Sequence, residues 1–211
     1  MDKRITIYDL AKTLGVSAGT VSRSLNDHPS ISQKTKDRVI FMANELGYKT
    51  NKFAVNLSKQ KSNTIGVIVP KLNSIFMSTV LAGIEKVANE AGYNLIISQS
   101  LESMEKEKLN AKTLYDSGVD ALLVSLAYDT TDFVHFANYI KNKIPLIFID
   151  RVHNLPNCST IIIDNKSAGF EATEHLIAQG CKNLLHISGN LKRNVYSERL
   201  KGFQEALAKH N

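Results

Sequence analysis

The chain has 211 residues, of which 43% are hydrophobic and 22% are charged, as is typical of folded globular proteins. This composition excludes a disordered chain, a collagen-like repeat and a disulfide-stapled miniprotein. The longest apolar runs, residues 65–70 and 144–149, are far shorter than the ~20 residues that span a bilayer, and no apolar signal segment follows Met1. Cys158 and Cys181 fit no metal or redox spacing. We therefore expect a cytoplasmic protein with no membrane partner, metal or cofactor.

The positive charge is concentrated at the start of the chain. Residues 1–63 contain 11 Lys and Arg against 5 Asp and Glu, whereas residues 64–211 contain 15 of each sign. A basic module joined to a neutral body favours a polyanionic partner, most commonly a nucleic acid. A basic surface that only keeps the protein in solution is the alternative.

The sequence pattern changes near residues 59–63. Before this point the chain shows short amphipathic helices and no strand. After it, apolar β-branched runs alternate with helical stretches that often end at a glycine, as at Gly92, Gly118 and Gly180. The predicted strands are residues 64–69, 94–98, 121–125, 145–149, 160–163 and 183–188. Apolar strands separated by helices predict an α/β body with a doubly wound parallel sheet.

Residues 7–26 have the pattern of a helix-turn-helix. Thr6 and Ser17 are predicted to cap two helices that end near Leu14 and Leu25, with Gly15 in the turn between them. A third helix is expected to begin after Ser32 and to end at Gly47. The apolar positions expected to form the shared core are Leu10, Ala11, Leu14, Val16, Val21, Leu25, Val39, Met42, Ala43 and Leu46.

The second of these helices is short and polar. Thr20, Ser22, Arg23 and Asn26 give it hydrogen-bonding groups that can reach base edges in a major groove. A generic three-helix bundle would need the same apolar positions and is the alternative. The polar face and the basic charge together favour double-stranded DNA as the partner.

The motifs at residues 7–11, 15–17 and 20–26 resemble the DNA-binding headpiece of the lactose-repressor (LacI/GalR) family of bacterial transcription regulators. The resemblance implies that Arg23 and the two residues after Ser17 read the operator. Here those two are Ala18 and Gly19, which offer no side-chain hydrogen bonds, so specificity is expected to depend on Arg23 and its polar neighbours. Ala18 could instead be present for helix propensity alone. The expected headpiece contacts with DNA are Thr6, Tyr8, Ser17, Ala18, Gly19, Thr20, Ser22, Arg23 and Asn26.

Residues 51–58 resemble the hinge helix of the same family. The resemblance implies that two such helices, one from each subunit of a homodimer, enter the minor groove of the operator. Asn51, Ala54 and Leu57 are the expected contacts, with Leu57 wedged between base steps. Thr50 stands where the family usually has proline, so we expect a less preorganised linker. Packing of Leu57 against the body is the alternative.

The remainder of the chain resembles the family's effector-binding core, which has the two-lobed form of periplasmic sugar-binding proteins. The resemblance implies that Phe76 stacks on the effector while Asp150 and Arg199 bind its polar groups, with Arg193 as a further contact. An aromatic face beside a carboxylate and a guanidinium suits a sugar or a phosphosugar. Phe76 could instead be the first core residue of its helix, and Asp164 is expected to cap a helix rather than to bind ligand.

These inferences divide the chain into a headpiece (1–50), a hinge and linker (51–63), a first lobe (64–155) and the start of an incomplete second lobe (156–211). We expect either a fragment of a longer protein or a truncated product. The predicted function is a DNA-binding repressor of carbohydrate metabolism genes whose operator affinity changes on effector binding. A sugar-binding receptor without DNA function is the alternative. An enzyme is not expected, because no nucleophile with a paired base and no phosphate-binding glycine loop can be placed.

Overall fold

A computed structural model describes residues 5–48 and 61–210. The chain divides into two units, one within residues 1–60 and the other from residue 61 onward. Residues 5–48 are termed the headpiece and residues 61–210 the body. The predicted hinge contacts Asn51, Ala54 and Leu57 lie outside the described residues.

Three helices form the headpiece. They are α1 (Ile7–Leu14), α2 (Ala18–Leu25) and α3 (Gln33–Glu45). The side chains of Thr6, Ser17 and Ser32 cap the three helices by accepting a hydrogen bond from a backbone N–H three residues later. Gly15 ends α1 and Gly47 follows α3, both with the left-handed backbone that glycine adopts without strain. The predicted helices and caps are therefore confirmed.

The headpiece core lies where the three helices meet. Leu10, Val21 and Val39 are almost completely buried there. The other core members that were predicted are Ala11, Leu14, Val16, Leu25, Met42 and Ala43. The prediction for Leu46 is wrong, since this residue is exposed. Leu46 caps the end of α3, and the left-handed turn that follows brings Tyr48 against the core instead.

The body contains five strands in one parallel sheet of order β2-β1-β3-β4-β5. They are β1 (Thr64–Val69), β2 (Asn94–Gln99), β3 (Ala121–Val124), β4 (Leu146–Ile149) and β5 (Ser159–Ile161). β1 pairs with β2 on one side and with β3 on the other, in register from Ile65, which faces Leu95 and Ala121. The chain therefore winds outward in both directions from β1, as predicted for a doubly wound fold.

Helices cover both faces of the sheet. They are α4 (Ile75–Glu90), α5 (Met104–Asp116), α6 (Ala137–Lys141), α7 (Asn165–Ala178) and α8 (Asn194–His210). Successive side chains of β1 point to opposite faces of the sheet. Val67 packs in a cluster with Met77 and Leu81 of α4, whereas Ile68 packs in a cluster with Leu114 of α5 and Tyr139 of α6.

Two predictions for the C-terminal part of the chain are wrong. The fifth strand was assigned to a second lobe, but Ser159–Ile161 pairs with β4 at the edge of the same sheet. Residues 150–158 connect the two strands without a helix, so alternation of helices and strands could not reveal this pairing.

Residues 183–188 form no strand, and the side chains of Leu185 and Ile187 are 85% and 86% exposed. An apolar run becomes a strand only beside a neighbour that supplies backbone hydrogen bonds, and none of the described strands lies against it. The boundaries of the lobes stay a prediction.

Helices α7 and α8 cross at two glycines. A Cβ atom on Gly169 would overlap the carbonyl oxygen of Arg199, and one on Gly202 would overlap the carbonyl oxygen of Lys166. The two backbones therefore approach more closely than any side chain permits. An ion pair between Glu174 and Lys209 also joins the two helices. This crossing fixes the position of Arg199 relative to α7.

Candidate DNA-binding surface and effector cleft

The polar residues of α2 lie on the outer face of the headpiece. Val21 and Ser24 are buried, so the helix turns one face into the core and the other outward. The predicted contacts on the outward face, all of them exposed or partly exposed, are Gly19, Thr20, Ser22, Arg23 and Asn26. The surface that the DNA-binding interpretation requires is therefore accessible.

Short-range hydrogen bonds fix several of these side chains. The Oγ of Ser17 accepts from the backbone N–H of Thr20 at 3.1 Å and lies 2.9 Å from the Thr20 hydroxyl. The side-chain amide of Asn26 donates to the Ser22 carbonyl oxygen at 2.9 Å. Arg23 extends over Gly19, where a Cβ atom would lie 3.7 Å from the nearest guanidinium nitrogen. That is an ordinary contact distance, so the packing of the headpiece does not require glycine at this position.

The other predicted headpiece contacts differ in their exposure. Tyr8 is exposed on α1, and the Thr6 hydroxyl donates to Asp9 Oδ2 at 2.6 Å in a capping box. Ala18 is half-buried and packs against the headpiece core. The position of Ala18 therefore favours a packing role over base contact.

Lys36 ties α3 to the end of α2, which the sequence analysis did not predict. Its ammonium group lies 2.6 Å from Asp27 Oδ1 and 3.3 Å from the Asp27 carbonyl oxygen. The hydrogen bond and the charge of Lys36 hold the pKa of Asp27 below its ordinary value. The buried lysine is thus paired within the headpiece, so it contributes little to the positive surface.

The excess positive charge lies mainly beside the headpiece rather than in it. Residues 5–48 contain five Lys and Arg against four Asp and Glu. Residues 49–63 contain four basic residues, Lys49, Lys52, Lys59 and Lys61, and no acidic residue. Half of the net positive charge that predicted a polyanionic partner therefore belongs to the predicted hinge and linker, residues 51–63, which contain Lys52, Lys59 and Lys61.

A cleft of about 440 Å³ opens in the body at the carboxyl ends of the strands. Ligands of doubly wound sheets bind at this edge, where the strand order reverses. The residues that line the cleft are Pro70, Lys71, Ser74, Phe76, Met77, Glu102, Asp150, Arg151, Val195, Tyr196 and Arg199.

Three of the four predicted effector residues line this cleft. Phe76 is exposed while Met77 is buried, so the alternative that Phe76 is the first core residue of its helix is wrong. Asp150 enters from the end of β4. Arg199 enters from α8, and its Nε donates to Oδ1 of the buried Asn165 at 2.9 Å. The structure therefore brings an aromatic face, a carboxylate and a guanidinium together.

Asp150 has a strained backbone and is half-buried. Its φ of 60° lies in the left-handed region, which aspartate tolerates better than most residues. The backbone N–H donates to the Ile161 carbonyl at 3.0 Å, and the carbonyl oxygen accepts from Asn194 Nδ2 at 2.9 Å. Burial raises the pKa of Asp150, and the charge of Arg151 partly opposes the rise. Backbone strain that is maintained by surrounding hydrogen bonds is common at binding sites.

The structure corrects the prediction for Arg193, which lies outside the cleft. Its side chain is buried and donates to the carbonyl oxygen of Thr130. Burial lowers the pKa of the Arg193 guanidinium, and the nearby charge of Glu107 opposes this. Glu107 is itself buried and lies 3.0 Å from His135 Nε2. Arg193 therefore joins the loop after β3 to the start of α8.

Two polar groups of the cleft, Glu102 and Tyr196, were not predicted from the sequence, and both bond to Arg151. Nη1 of Arg151 donates to Glu102 Oε2 at 2.7 Å, and Nη2 donates to the Tyr196 hydroxyl at 3.3 Å. Burial alone would lower the pKa of Arg151, but the hydrogen bond that Arg151 donates to Glu102 and the negative charge of Glu102 outweigh burial, so the pKa is raised. Arg151 was a candidate because it directly follows β4, and the position of Glu102 after β2 is a signal of the same kind. Asp164 caps α7, as predicted.

Within residues 5–48 and 61–210, no group of three or more His, Cys, Asp and Glu side chains could hold a metal ion. None of the helices in the same ranges has the length and apolar character to cross a membrane.

Both units match known families. The family of bacterial regulatory proteins named lacI matches residues 6–51. The family of periplasmic binding proteins and sugar-binding domains of LacI proteins matches residues 62–211. A helix-turn-helix headpiece and an α/β body of the periplasmic-binding-protein type therefore occur in one chain. The chain belongs to the LacI family.

Curated relatives align with almost the whole chain. Catabolite control protein A of Priestia megaterium is 31% identical over 204 residues, which cover 96% of this chain and 61% of that protein. The ribose operon repressor of Halalkalibacterium halodurans is 32% identical, with coverage of 96% and 59%. The regulator MalR of Streptococcus pneumoniae is 34% identical, with coverage of 96% and 62%. The chain thus spans about three fifths of the length of these relatives.

Solved structures show the same architecture. The lac repressor dimer bound to operator and the anti-inducer ONPF has a TM-score of 0.82 and 26% identity, and the match covers 99% of this chain and 63% of that chain. A LacI transcriptional regulator from Alkaliphilus metalliredigens, complexed with D-xylulofuranose, has a TM-score of 0.64 and 30% identity, with coverage of 70% and 53%.

Proposed function

We propose that this chain carries the DNA-binding and effector-sensing parts of a repressor of carbohydrate metabolism genes. The observation that carries the proposal is the accessible polar face of α2 on a capped helix-turn-helix. Relatives named catabolite control protein A and ribose operon repressor support it, as does the likeness to a lac repressor dimer bound to operator. The proposed partners are double-stranded operator DNA and a second copy of the chain.

In the proposed DNA complex, α2 enters the major groove. Arg23 donates its paired N–H groups to a guanine, while Thr20 and Ser22 contact neighbouring bases. Phosphate contacts position a DNA-binding protein without reading sequence, and Thr6, Tyr8, Ser17 and Asn26 are proposed for this role. Asn51, Ala54 and Leu57 are proposed to contact the minor groove.

In the proposed effector complex, a sugar or phosphosugar occupies the cleft. The ring of Phe76 packs against its apolar face. Each hydroxyl group both donates and accepts, so the carboxylate of Asp150 and the guanidinium of Arg199 are complementary to it. The effector changes operator affinity only if it binds one of two conformational states more tightly, and it then shifts the population toward that state.

Fluorescence anisotropy with a duplex selected from a random pool tests the proposal. Arg23→Ala is expected to lose about 1–3 kcal/mol of binding free energy, which is the discrimination that a good arginine–guanine contact provides. Leu57→Ala is expected to weaken binding as well, because the minor-groove wedge is lost. Wild-type affinity should fall steeply as salt is added.

The matched control is Lys86→Ala, which removes one positive charge from the exposed surface of α4. This control should bind DNA as the wild type does. Wild-type affinity in both Arg23→Ala and Leu57→Ala would refute the proposal. Sugar binding by a chain with no affinity for any duplex at low salt would favour a sugar-binding receptor instead.

A further inference from the structure

The ionisable side chains that line the effector cleft nearly balance in charge, with three basic groups against two acidic ones. Two guanidiniums, those of Arg151 and Arg199, face two carboxylates, those of Glu102 and Asp150. Lys71 also lines the cleft, but its side chain is exposed to solvent. A binding site with nearly balanced charge suits a neutral polar ligand better than an anion.

Glu102 forms an ion pair with Arg151. Its Oε2 accepts from Arg151 Nη1 at 2.7 Å and from the backbone N–H of Tyr128 at 3.0 Å. The Arg151 side chain is only 13% exposed, and its Nη2 donates to the Tyr196 hydroxyl. Arginine is the side chain best suited to bind a phosphate group. In Arg151, both Nη atoms already donate, one to the carboxylate of Glu102 and the other to the hydroxyl of Tyr196.

The backbone is strained where it places Glu102. Leu101 and Glu102 are consecutive residues with φ of 52° and 63°, both in the left-handed region. This conformation is unfavourable for residues with a Cβ atom and persists only where surrounding contacts enforce it. The strained pair follows β2 and brings the Glu102 carboxylate to Arg151, 49 positions later in the chain.

We propose that Glu102 is a specificity-determining residue that makes the cleft select a neutral sugar over a phosphorylated one. The proposal rests on the effector function proposed above and narrows it to one chemical class. Glu102 disfavours a phosphate beside Arg151 in two ways: it occupies the guanidinium, and its own negative charge repels the anion. Specificity of this kind depends on a repulsive group as well as on attractive ones.

Isothermal titration calorimetry on the full chain tests this inference with glucose, ribose and the terminal phosphate ester of each. Wild type is expected to bind at least one neutral sugar about tenfold more tightly than its ester. Glu102→Gln keeps the size of the side chain and removes its charge, so this preference should fall by about tenfold or more. Inorganic phosphate should bind to Glu102→Gln more tightly than to wild type.

The matched control is Glu105→Gln, which removes the same charge from an exposed residue that pairs with Lys108 outside the cleft. Its preference should equal that of wild type. Arg151→Gln is a second variant, and it should strengthen the preference for neutral sugars because Glu102 is then unpaired. Circular dichroism and thermal melting establish that each variant is folded.

Three results would overturn the inference. They are a wild type that prefers the esters, a wild type that binds none of these sugars, and a preference that neither Glu102→Gln nor Arg151→Gln changes. The titrations contain no DNA. A chain that selects neutral sugars but binds no duplex would therefore refute the repressor function and leave the role of Glu102 intact.

Discussion

The headpiece and the body hold their proposed binding groups in different ways. On α2, the hydrogen bonds of Ser17 and Asn26 join residues three or four positions apart. In the cleft, the bonds of Arg151 and Arg199 join residues 34 to 49 positions apart. A change on the outer face of the headpiece should therefore alter recognition with little effect on folding, whereas a change in the cleft alters both.

The largest expected effect comes from breaking the small headpiece core. Leu10 is fully buried, so Leu10→Ala should cost about 2–5 kcal/mol of headpiece stability. A unit of this size has a small free energy of unfolding. The Leu10→Ala variant should therefore lose most of its helical circular dichroism signal and its DNA affinity at moderate temperature. Melting followed by circular dichroism and by amide NMR spectra checks this. Leu46→Ala, at an exposed leucine of the same unit, is the control and should melt near wild type.

The helix crossing in the body gives the next largest effect. Gly202→Ala places a methyl group where the backbone of α7 lies, and we expect a loss of about 1–3 kcal/mol or more of the free energy of unfolding. Gly83→Ala is the matched control because a Cβ there meets no atom within 4 Å. It should stabilise the body by about 0.4–1 kcal/mol, since alanine restricts the unfolded chain. Equal urea midpoints for the two variants would contradict the proposed packing.

A cap substitution should have a moderate effect confined to the headpiece. Ser17→Ala removes the acceptor for the Thr20 backbone N–H and should cost about 1 kcal/mol. Ser22→Ala serves as the control, because it lies within the same helix and keeps the backbone carbonyl that accepts from the C-cap residue Asn26. A headpiece melting curve that shifts equally in both variants would show that the cap is unimportant.

The smallest effect is expected at Asp150. Its raised pKa means that the ionised carboxylate is less favourable in the folded chain than in the unfolded chain. Asp150→Asn removes this cost and also suits the left-handed backbone, so the melting temperature of the variant at neutral pH should be slightly higher than that of wild type. The same variant should bind sugar more weakly, because an anionic acceptor is lost.

The pH dependence of this effect has a definite sign. When the folded pKa of a carboxyl group is raised, protonation of that group stabilises the folded chain relative to the unfolded chain. The melting temperature of wild type should therefore approach that of Asp150→Asn as the pH falls toward 3.8, the ordinary pKa of aspartate. The difference in melting temperature between Asp150→Asn and wild type should be largest at neutral pH and small at acidic pH. A gap that widens in acid would mean that the cause assigned to the shift is incorrect.

Local chemistry made the headpiece predictable from sequence. The caps Thr6, Ser17 and Ser32 and the turn at Gly15 each act over three or four residues, and the core positions follow helical spacing. Leu46 was predicted wrongly because its orientation depends on the turn after α3. The hinge contacts stay a prediction.

The sheet of the body was predictable because buried parallel strands are continuous apolar runs, but the cleft was predictable only in part. Phe76, Asp150 and Arg199 came from a family resemblance. Glu102 and Tyr196 were missed because only the folded sheet brings them to Arg151. The prediction of a strand at residues 183–188 is wrong for a related reason. A strand forms only beside another strand that supplies backbone hydrogen bonds, and the sequence of the segment itself does not show whether such a neighbour is present.

The two glycines at the crossing of α7 and α8 have a mechanical consequence. Interlocked backbones leave no soft side-chain layer along which one helix could slide past the other. Arg199 touches the cleft from α8 and is bonded to Asn165 at the start of α7. A bound molecule that shifts the cleft end of either helix is therefore expected to shift both helices together, because neither can slide past the other.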